Sequence, residues 1–416
     1  MRVTTAFNRV LALPGVWVES VSFTDAGIVI GLRPRGRRHR CPCGWSTTAR
    51  YDVSRRRWRH LDMGATRLWV EADIARIACR RCRRVRTEQV SWARPAARHT
   101  RDFEQMIGWL AQRMDKTAIA QLLRCAWETV DAAVKRLVVD HLEPIDGARL
   151  DGLYRIGVDE ISYKRGHQYL TVVADHDSGR VVWVGRERSQ DAVHEFLDAL
   201  GPDRAARVEA VTLDGSTIFR GPLVERLPNA RVCLDPFHVM KWVNEALDKV
   251  YAAQPARPAV YDGKRFTRVH WQRTRTALRT GVENLTLTQR ELLNAVRRDS
   301  RRLWRAWQLK EDFRILYRLD TPRHAGAYLK YWCETANRSR IPQFQSLARR
   351  IQKHFDEIIA AVELGLSNSR LEGINAKIRV IQRRGYGHPD PHALAAMIHL
   401  CLGGITLTLP GRPTPT

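Results

Sequence analysis

The stretch from Tyr154 to Asp235 narrows the possible folds more than any other part of the chain. It reads strand, strand, strand, helix, strand, helix, strand. The strands are Tyr154 to Tyr163, Gln168 to Ala174, Arg180 to Gly185, Val208 to Leu213 and Arg231 to Leu234. They are apolar or alternating runs, with turn residues such as His176-Asp177-Ser178-Gly179 between them. Val193, Phe196, Leu197 and Leu200 mark the first helix, which stops at Gly201. Two short apolar runs within these strands, Ile156-Gly157-Val158 and Val208 to Leu213, close on an acid, Asp159 and Asp214. A carboxylate at the end of a buried strand contributes little to packing and is well placed to hold a metal.

Three strands, helix, strand, helix, strand is the order of a ribonuclease-H-like fold. In that layout the first and fourth strands are neighbours, so Asp159 faces Asp214. Carboxylates that close repel unless a cation neutralises them. Magnesium or manganese suits such oxygen ligands, and a pair of ions serves in-line attack on phosphorus. The third acid is expected at Glu372. Leu371, Ile374, Ile378 and Ile381 form one face of a helix, and Asn368, Glu372, Asn375 and Arg379 form another. Glu372 can then look across at the aspartates, with Asn375 and Arg379 placed for DNA. Ser369-x-x-Glu372 is equally a capping box. Asp235-Pro236-Phe237-His238 also reads two ways: a helix cap followed by proline, or an auxiliary acid and histidine beside the metal site.

The net charge of +26 on 416 residues points to a polyanionic partner, nucleic acid above all. The charge is concentrated early, with 20 arginines between Arg33 and Arg101 against five acids. So basic a segment is expected to have little core of its own and to fold around a metal. Cys41, Cys43, Cys79 and Cys82 supply two cysteine pairs for structural zinc, with a strand-like run from Arg67 to Ala75 between them, as in a zinc ribbon. The first pair is separated by one residue, so His39 or His60 could substitute for Cys41 or Cys43. Arg55-Arg56-Arg57-Trp58-Arg59 interleaves cations with an aromatic, a pattern suited to phosphate contact and stacking. A helical trio follows over 102–139, with Asp115 capping its second helix. It has the rhythm of a helix-turn-helix or of a plain packing unit. Trp127, Thr129, Lys135 and Arg136 lie on the outward side of its last helix.

Residues 251–366 read as a mostly helical insertion, in which Trp304, Trp307 and Lys310 are either core or DNA contacts. The tail, 406–416, reads as disordered. No run of about 18 apolar residues implies a membrane span. With its thinly spread cysteines, the chain is expected to be a reduced, cytoplasmic bacterial protein associated with the nucleoid.

Gly157-Val158-Asp159-Glu160-Ile161-Ser162-Tyr163, Gly166-His167-Gln168-Tyr169-Leu170-Thr171-Val172-Val173, Asp235-Pro236-Phe237-His238-Val239, the run from Ser367 to Ile378, and Arg383-Arg384-Gly385-Tyr386-Gly387 together resemble the transposases of the ISL3 insertion-sequence family. The resemblance covers nearly the whole chain. It implies a DDE transposase that binds terminal inverted repeats and cleaves and transfers DNA strands with magnesium or manganese. It places the first and last acids at Asp159 and Glu372. The second falls on Asp214 by strand order, with Asp235 as its rival, and Asp235 and His238 match an auxiliary motif. It also implies double-stranded DNA, both element ends and target, as partner, and a homodimer or larger assembly on it. The family's usual first cysteine gap is one residue longer than Cys41-Pro42-Cys43. The expected multidomain α+β architecture is a zinc ribbon over 1–95, a helix-turn-helix over 96–150, and a ribonuclease-H-like catalytic domain over 151–250 and 367–405, interrupted by the insertion.

Overall fold

A computed structural model describes residues 2–142, 148–164, 166, 168–214, 217–254, 260–261, 264–319, 321–388 and 390–410. The chain divides into two compact units, Met1–Asp146 with Ile381–Thr416, and Gly147–Val380.

The first unit opens with α1 (Val3–Leu11) and a five-stranded sheet: β1 (Val16–Thr24), β2 (Gly27–Pro34), β5 (Asp52–Met63), β6 (Thr66–Cys79) and β7 (Arg84–Thr87), with the short hairpin β3 (His39–Arg40) and β4 (Ser46–Thr47) beside it. The order is β1-β2-β6-β5, with β7 also on β6. β6 carries the expected alternation: Leu68, Val70, Ala72 and Ile74 are buried, against Ile28, Ile30, Trp58 and Trp92. Despite its charge the segment therefore has a substantial core, because the arginines occupy the outward positions of strands whose inward positions are apolar. α2 (Arg101–Ala111), α3 (Lys116–Leu122) and α4 (Trp127–Leu142) form the helical trio. Thr100 and Asp115 cap α2 and α3 by accepting from the backbone N–H groups of Phe103 and Ala118. Val130, Val134, Leu137 and Val138 of α4 are buried, as their spacing predicts.

The second unit holds a sheet of β8 (Arg155–Lys164), β9 (Gln168–Asp175), β10 (Val181–Arg186), β11 (Ala210–Leu213) and β12 (Arg231–Leu234), in the order β10-β9-β8-β11-β12. β8, β9 and β10 pair antiparallel, while β8, β11 and β12 run parallel. Connecting helices are α5 (Gln190–Leu200), the four-residue α6 (Pro202–Ala205) and α7 (Thr217–Arg226). Ile156, Val158, Val211 and Leu213 face the core shared with α5 and α7. The alternate positions face the other way. There Ala210 and Cys233 meet α14 (Phe355–Leu364), and Gly157 meets Leu371 of α15 (Ser369–Arg384).

Between β12 and α14 come α8 (Pro236–Ala252), α9 (Arg268–Arg279), α10 (Leu287–Asp299), α11 (Arg301–Ile315), α12 (Ala325–Arg338) and α13 (Pro342–Lys353). Their common core includes Trp242, Trp271, Trp307, Phe313, Trp332 and Phe344. Trp307 and Lys310 are buried, and the Lys310 ammonium donates to the Thr280 carbonyl at 2.9 Å and pairs with Glu311. Of the two readings offered by these residues, the structure realises core.

One expected boundary moves. α16 (Pro391–Leu402), expected with the final helices of the catalytic domain, lies in the first compact unit and packs on α4. Its buried Leu394, Met397, Ile398 and Leu400 need more than one partner face. Gln112 donates to the carbonyls of Leu400 and Ile405 at 2.9 Å, so the chain just after α16 is held against α2. Residues 411–416 of the expected disordered tail lie outside the described residues.

Gly157 lets α15 approach the sheet. A Cβ there would lie 2.3 Å from Leu371 Cδ1, 2.8 Å from His176 Nε2 and 2.9 Å from Thr212 Oγ1. Gly157→Ala is expected to cost about 1–3 kcal/mol, as overpacking does, with Leu371→Ala in the same chain returning part of it. Urea unfolding of the single and double variants checks this; a single variant as stable as wild type would show that the helix gives way freely.

Candidate active site and metal centre

The parallel register pairs Thr212 with Gly157 and Leu213 with Leu234. Continued along the strands, it sets Asp159, Asp214 and Asp235 side by side on the three parallel strands, Asp159 within β8 and the other two just past β11 and β12. All three share the parity of Gly157, Thr212 and Cys233, the face that α14 and α15 cover. Asp159 is half-buried. Its Oδ1 accepts from the Glu160 backbone N–H at 2.8 Å and its Oδ2 from Asn375 Nδ2 at 2.7 Å. Burial pushes its carboxyl up to about 6, and the charge of Asp214 adds to the rise.

Asp235 is buried and fully engaged: Oδ1 accepts from the Asn368 backbone N–H at 3.0 Å, and Oδ2 pairs with His238 Nδ1 at 3.1 Å. Burial pushes Asp235 up, but these bonds outweigh it and hold its carboxyl below the ordinary range. His238 is raised, first by its bond to Asp235 and further by the charge of Asp214. Although Asp235 precedes α8, its side chain makes no capping bond, so the pair joins the acid cluster instead.

α15 is fastened to two of the three parallel strands, by Asn375 at Asp159 within β8 and by Asn368 at Asp235 just past β12. Glu372 lies between them on the same helix face, four residues after Asn368 and three before Asn375, and is exposed. The competing capping box is not formed, since the Ser369 hydroxyl bonds the Ser367 hydroxyl at 2.9 Å. Asn375, expected at DNA, spends its amide on Asp159, while Arg379 is exposed. Asn368 is only 2% exposed, and both polar atoms of its side chain are without a hydrogen-bond partner. Its position one turn before Glu372 was the signal in the sequence. Carboxylate oxygens such as those of Asp159 and Asp214 are of the kind a divalent cation takes, although among the described residues no three acids have donor atoms within 4.8 Å of one another.

The four cysteines form a separate centre. Among the described residues they are the one set of three or more candidate ligands whose donor atoms all lie within 4.8 Å of one another. Cys41 Sγ is 3.9 Å from Cys82 Sγ, and Cys43 Sγ is 3.6 Å from Cys79 Sγ. A tetrahedral zinc with bonds near 2.3 Å spaces its sulfurs about 3.8 Å apart, so the set fits zinc. The short first gap is closed by a tight turn, in which the Gly44 N–H bonds the Cys41 carbonyl and Gly44 adopts φ +90°. Burial raises the Cys41 thiol to about 12, whereas a hydrogen bond from the Trp45 backbone N–H lowers Cys43 to about 7. His39 pairs with Glu88 and His60 with Thr100, both at 2.8 Å, so neither joins the cluster.

The expected DNA-contacting residues divide. Arg55, Arg56 and Arg57 are exposed on β5, Arg55 and Arg57 pairing with Glu71. Trp58 and Arg59 are a correction: they are 2% and 4% exposed. Trp58 packs edge-on to Trp92 at 5.6 Å, and Arg59 pairs with Asp62. Both are covered because residues 98–100 pair along β5. In α4, Trp127 is exposed and Thr129 half-buried. Lys135 pairs with Asp131 and Asp390, and Arg136 pairs with the buried Glu104 at 2.7 Å.

A transposase family model of the ISL3 DDE type matches residues 156–398, and the helix-turn-helix domain of transposase family ISL3 matches residues 88–138. The chain is 38% identical over 422 residues to the transposase for insertion sequence element IS1557 of Mycobacterium tuberculosis, covering 95% of this chain and 94% of that protein. It is 29% identical over 390 residues to the transposase for insertion sequence element IS1001 of Bordetella parapertussis, covering 90% and 92%.

Elemental analysis of the purified chain is expected to find zinc, retained in His39→Ala and His60→Ala and lost in Cys82→Ser. Removing it with a chelator should lower the melting temperature. Zinc loss in either histidine variant would contradict the four-thiolate centre.

Proposed function

Because this chain belongs to the ISL3 family of transposases, we propose that it binds the inverted repeats of its insertion sequence and that Asp159, Asp214 and Glu372 carry the DNA cleavage and strand transfer of a DDE enzyme. The observation that supports the assignment is the two-point fastening of α15, which holds Glu372 between Asn368, bonded at Asp235, and Asn375, bonded at Asp159. The strand order, three antiparallel then two parallel, supports a ribonuclease-H-like catalytic fold.

Asp214 is the second acid in this reading, and Asp235 the auxiliary. Both oxygens of Asp235 are engaged and its charge is balanced by His238, whereas the charge of Asp214 raises Asp159. Magnesium or manganese at the carboxylates would supply the positive charge that activates the attacking oxygen and steadies the leaving one. A DDE reading takes the acids to share two ions, each held by some of them, and not to close together on one. Asn375 holds the Asp159 carboxylate in one orientation, and His238 tempers the negative charge beside Asp214. Water attacks first and frees a 3′ hydroxyl, which then attacks the target phosphodiester in line. Joining two ends calls for a homodimer or larger assembly on DNA. Zinc at the cysteine centre would shape the basic module that grips the repeats. No helix among the described residues is long and apolar enough to cross a membrane.

Asp159→Ala is expected to keep repeat binding and to lose cleavage of end DNA by on the order of 10³-fold. A wild type that binds repeats but never cleaves with magnesium or manganese would make the chain a DNA-binding regulator. Cleavage without joining would make it a simple nuclease. Asn375→Ala should lower cleavage less, by roughly tenfold, and raise the manganese concentration needed for half-maximal rate. An unchanged manganese requirement would remove Asn375 from the metal site.

A further inference from the structure

α15 ends in a hydrogen-bond pattern that ordinarily calls for glycine. The Tyr386 N–H bonds the Arg383 carbonyl at 3.1 Å and the Gly387 N–H bonds the Gln382 carbonyl at 3.0 Å. These are the two bonds of a Schellman motif, and they make Tyr386 its left-handed residue. Its φ is +52°. Glycine normally fills this position, because a side chain there is strained. The sequence supplies glycines on both sides, at 385 and 387, and a tyrosine at the strained position itself.

Packing does not explain the choice, for Tyr386 is 94% exposed. The turn is held from below, since a Cβ on Gly385 would lie 2.5 Å from the His388 ring. A rigid turn thus presents one aromatic ring to solvent at a cost in backbone strain, and strain kept without a packing return points to function. Tyr386 lines a 210 Å³ cleft with Lys116, Trp127, Asp131 and His388. Trp127 is itself 45% exposed and is the first residue of α4, and the Lys116 ammonium sits 5.4 Å from its ring centre. In a helix-turn-helix, the N-terminal residues of the last helix reach the bases.

We propose that Tyr386 is a DNA-contacting residue, whose ring packs against a base or sugar of the element end beside the N-terminus of α4. Duplex DNA fits this surface better than a protein partner does. It is continuous with the helix-turn-helix, Arg383 beside it is exposed, and the chain carries a net charge of +26. The inference rests on the reading that the first unit binds the element ends.

The test uses full-length protein and a duplex copied from the DNA flanking its gene. Tyr386→Gly should melt at or above the wild-type temperature, because glycine relieves the strained turn, yet bind the duplex about tenfold or more weakly. Tyr386→Phe should bind as wild type. The slope of log Kd against log salt should stay unchanged in Tyr386→Gly, since a ring contact releases no counterions. Wild-type affinity in Tyr386→Gly, or a lowered melting temperature, would overturn the assignment. Failure of the wild type itself to bind the flanking duplex would instead overturn the end-binding reading beneath it.

Discussion

The second unit of this transposase depends on how one helix is fastened across the face of a sheet. Asp159 lies within one of three parallel strands and Asp235 just past another, and α15 reaches both, through the Asn375 amide and the Asn368 backbone N–H. Gly157 removes the side chain that would otherwise hold the helix off. A hydrogen bond to a carboxylate is stronger than one between neutral groups, so these two contacts fix both the position and the rotation of the helix. Glu372 inherits its place from them.

The same contacts divide the acids by electrostatics. Asp235 is buried deepest, yet its carboxyl is held low, because an N–H and an imidazole satisfy it. Asp159 is less buried, yet raised to about 6 by that burial and by the neighbouring charge of Asp214. An acid whose charge is already compensated suits support. Sequence position alone leaves Asp214 and Asp235 as rivals, and the His238 pairing and the Asn368 N–H support the proposed reading of Asp235 as the auxiliary acid.

Much of the second unit is legible in the sequence, since the strands announce themselves by apolar runs and their order fixes which ends become neighbours. The pairing of Asp159 with Asp214 follows from that order. The roles of Asn368 and Asn375 do not, because an amide on a helix face serves a carboxylate or a phosphate equally well until the facing element is known. In the first unit the arginines obscured a core: Trp58 and Arg59 sit in a run of cations but on a strand covered on both sides, by the sheet core and by residues 98–100. The place of α16 was also hidden, since an apolar helix records that it must be buried and not against what. The four cysteines are brought together despite the short gap, because the Gly44 turn absorbs the missing residue.

The most direct measurement is a crystal structure of the transposase on end DNA with manganese, with the ions located by anomalous scattering. The account predicts manganese bound by Asp159 together with Asp214 and Glu372, with Asp235 still paired to His238. Manganese on Asp235 with Asp214 turned away, or Glu372 outside reach of any ion, would contradict it.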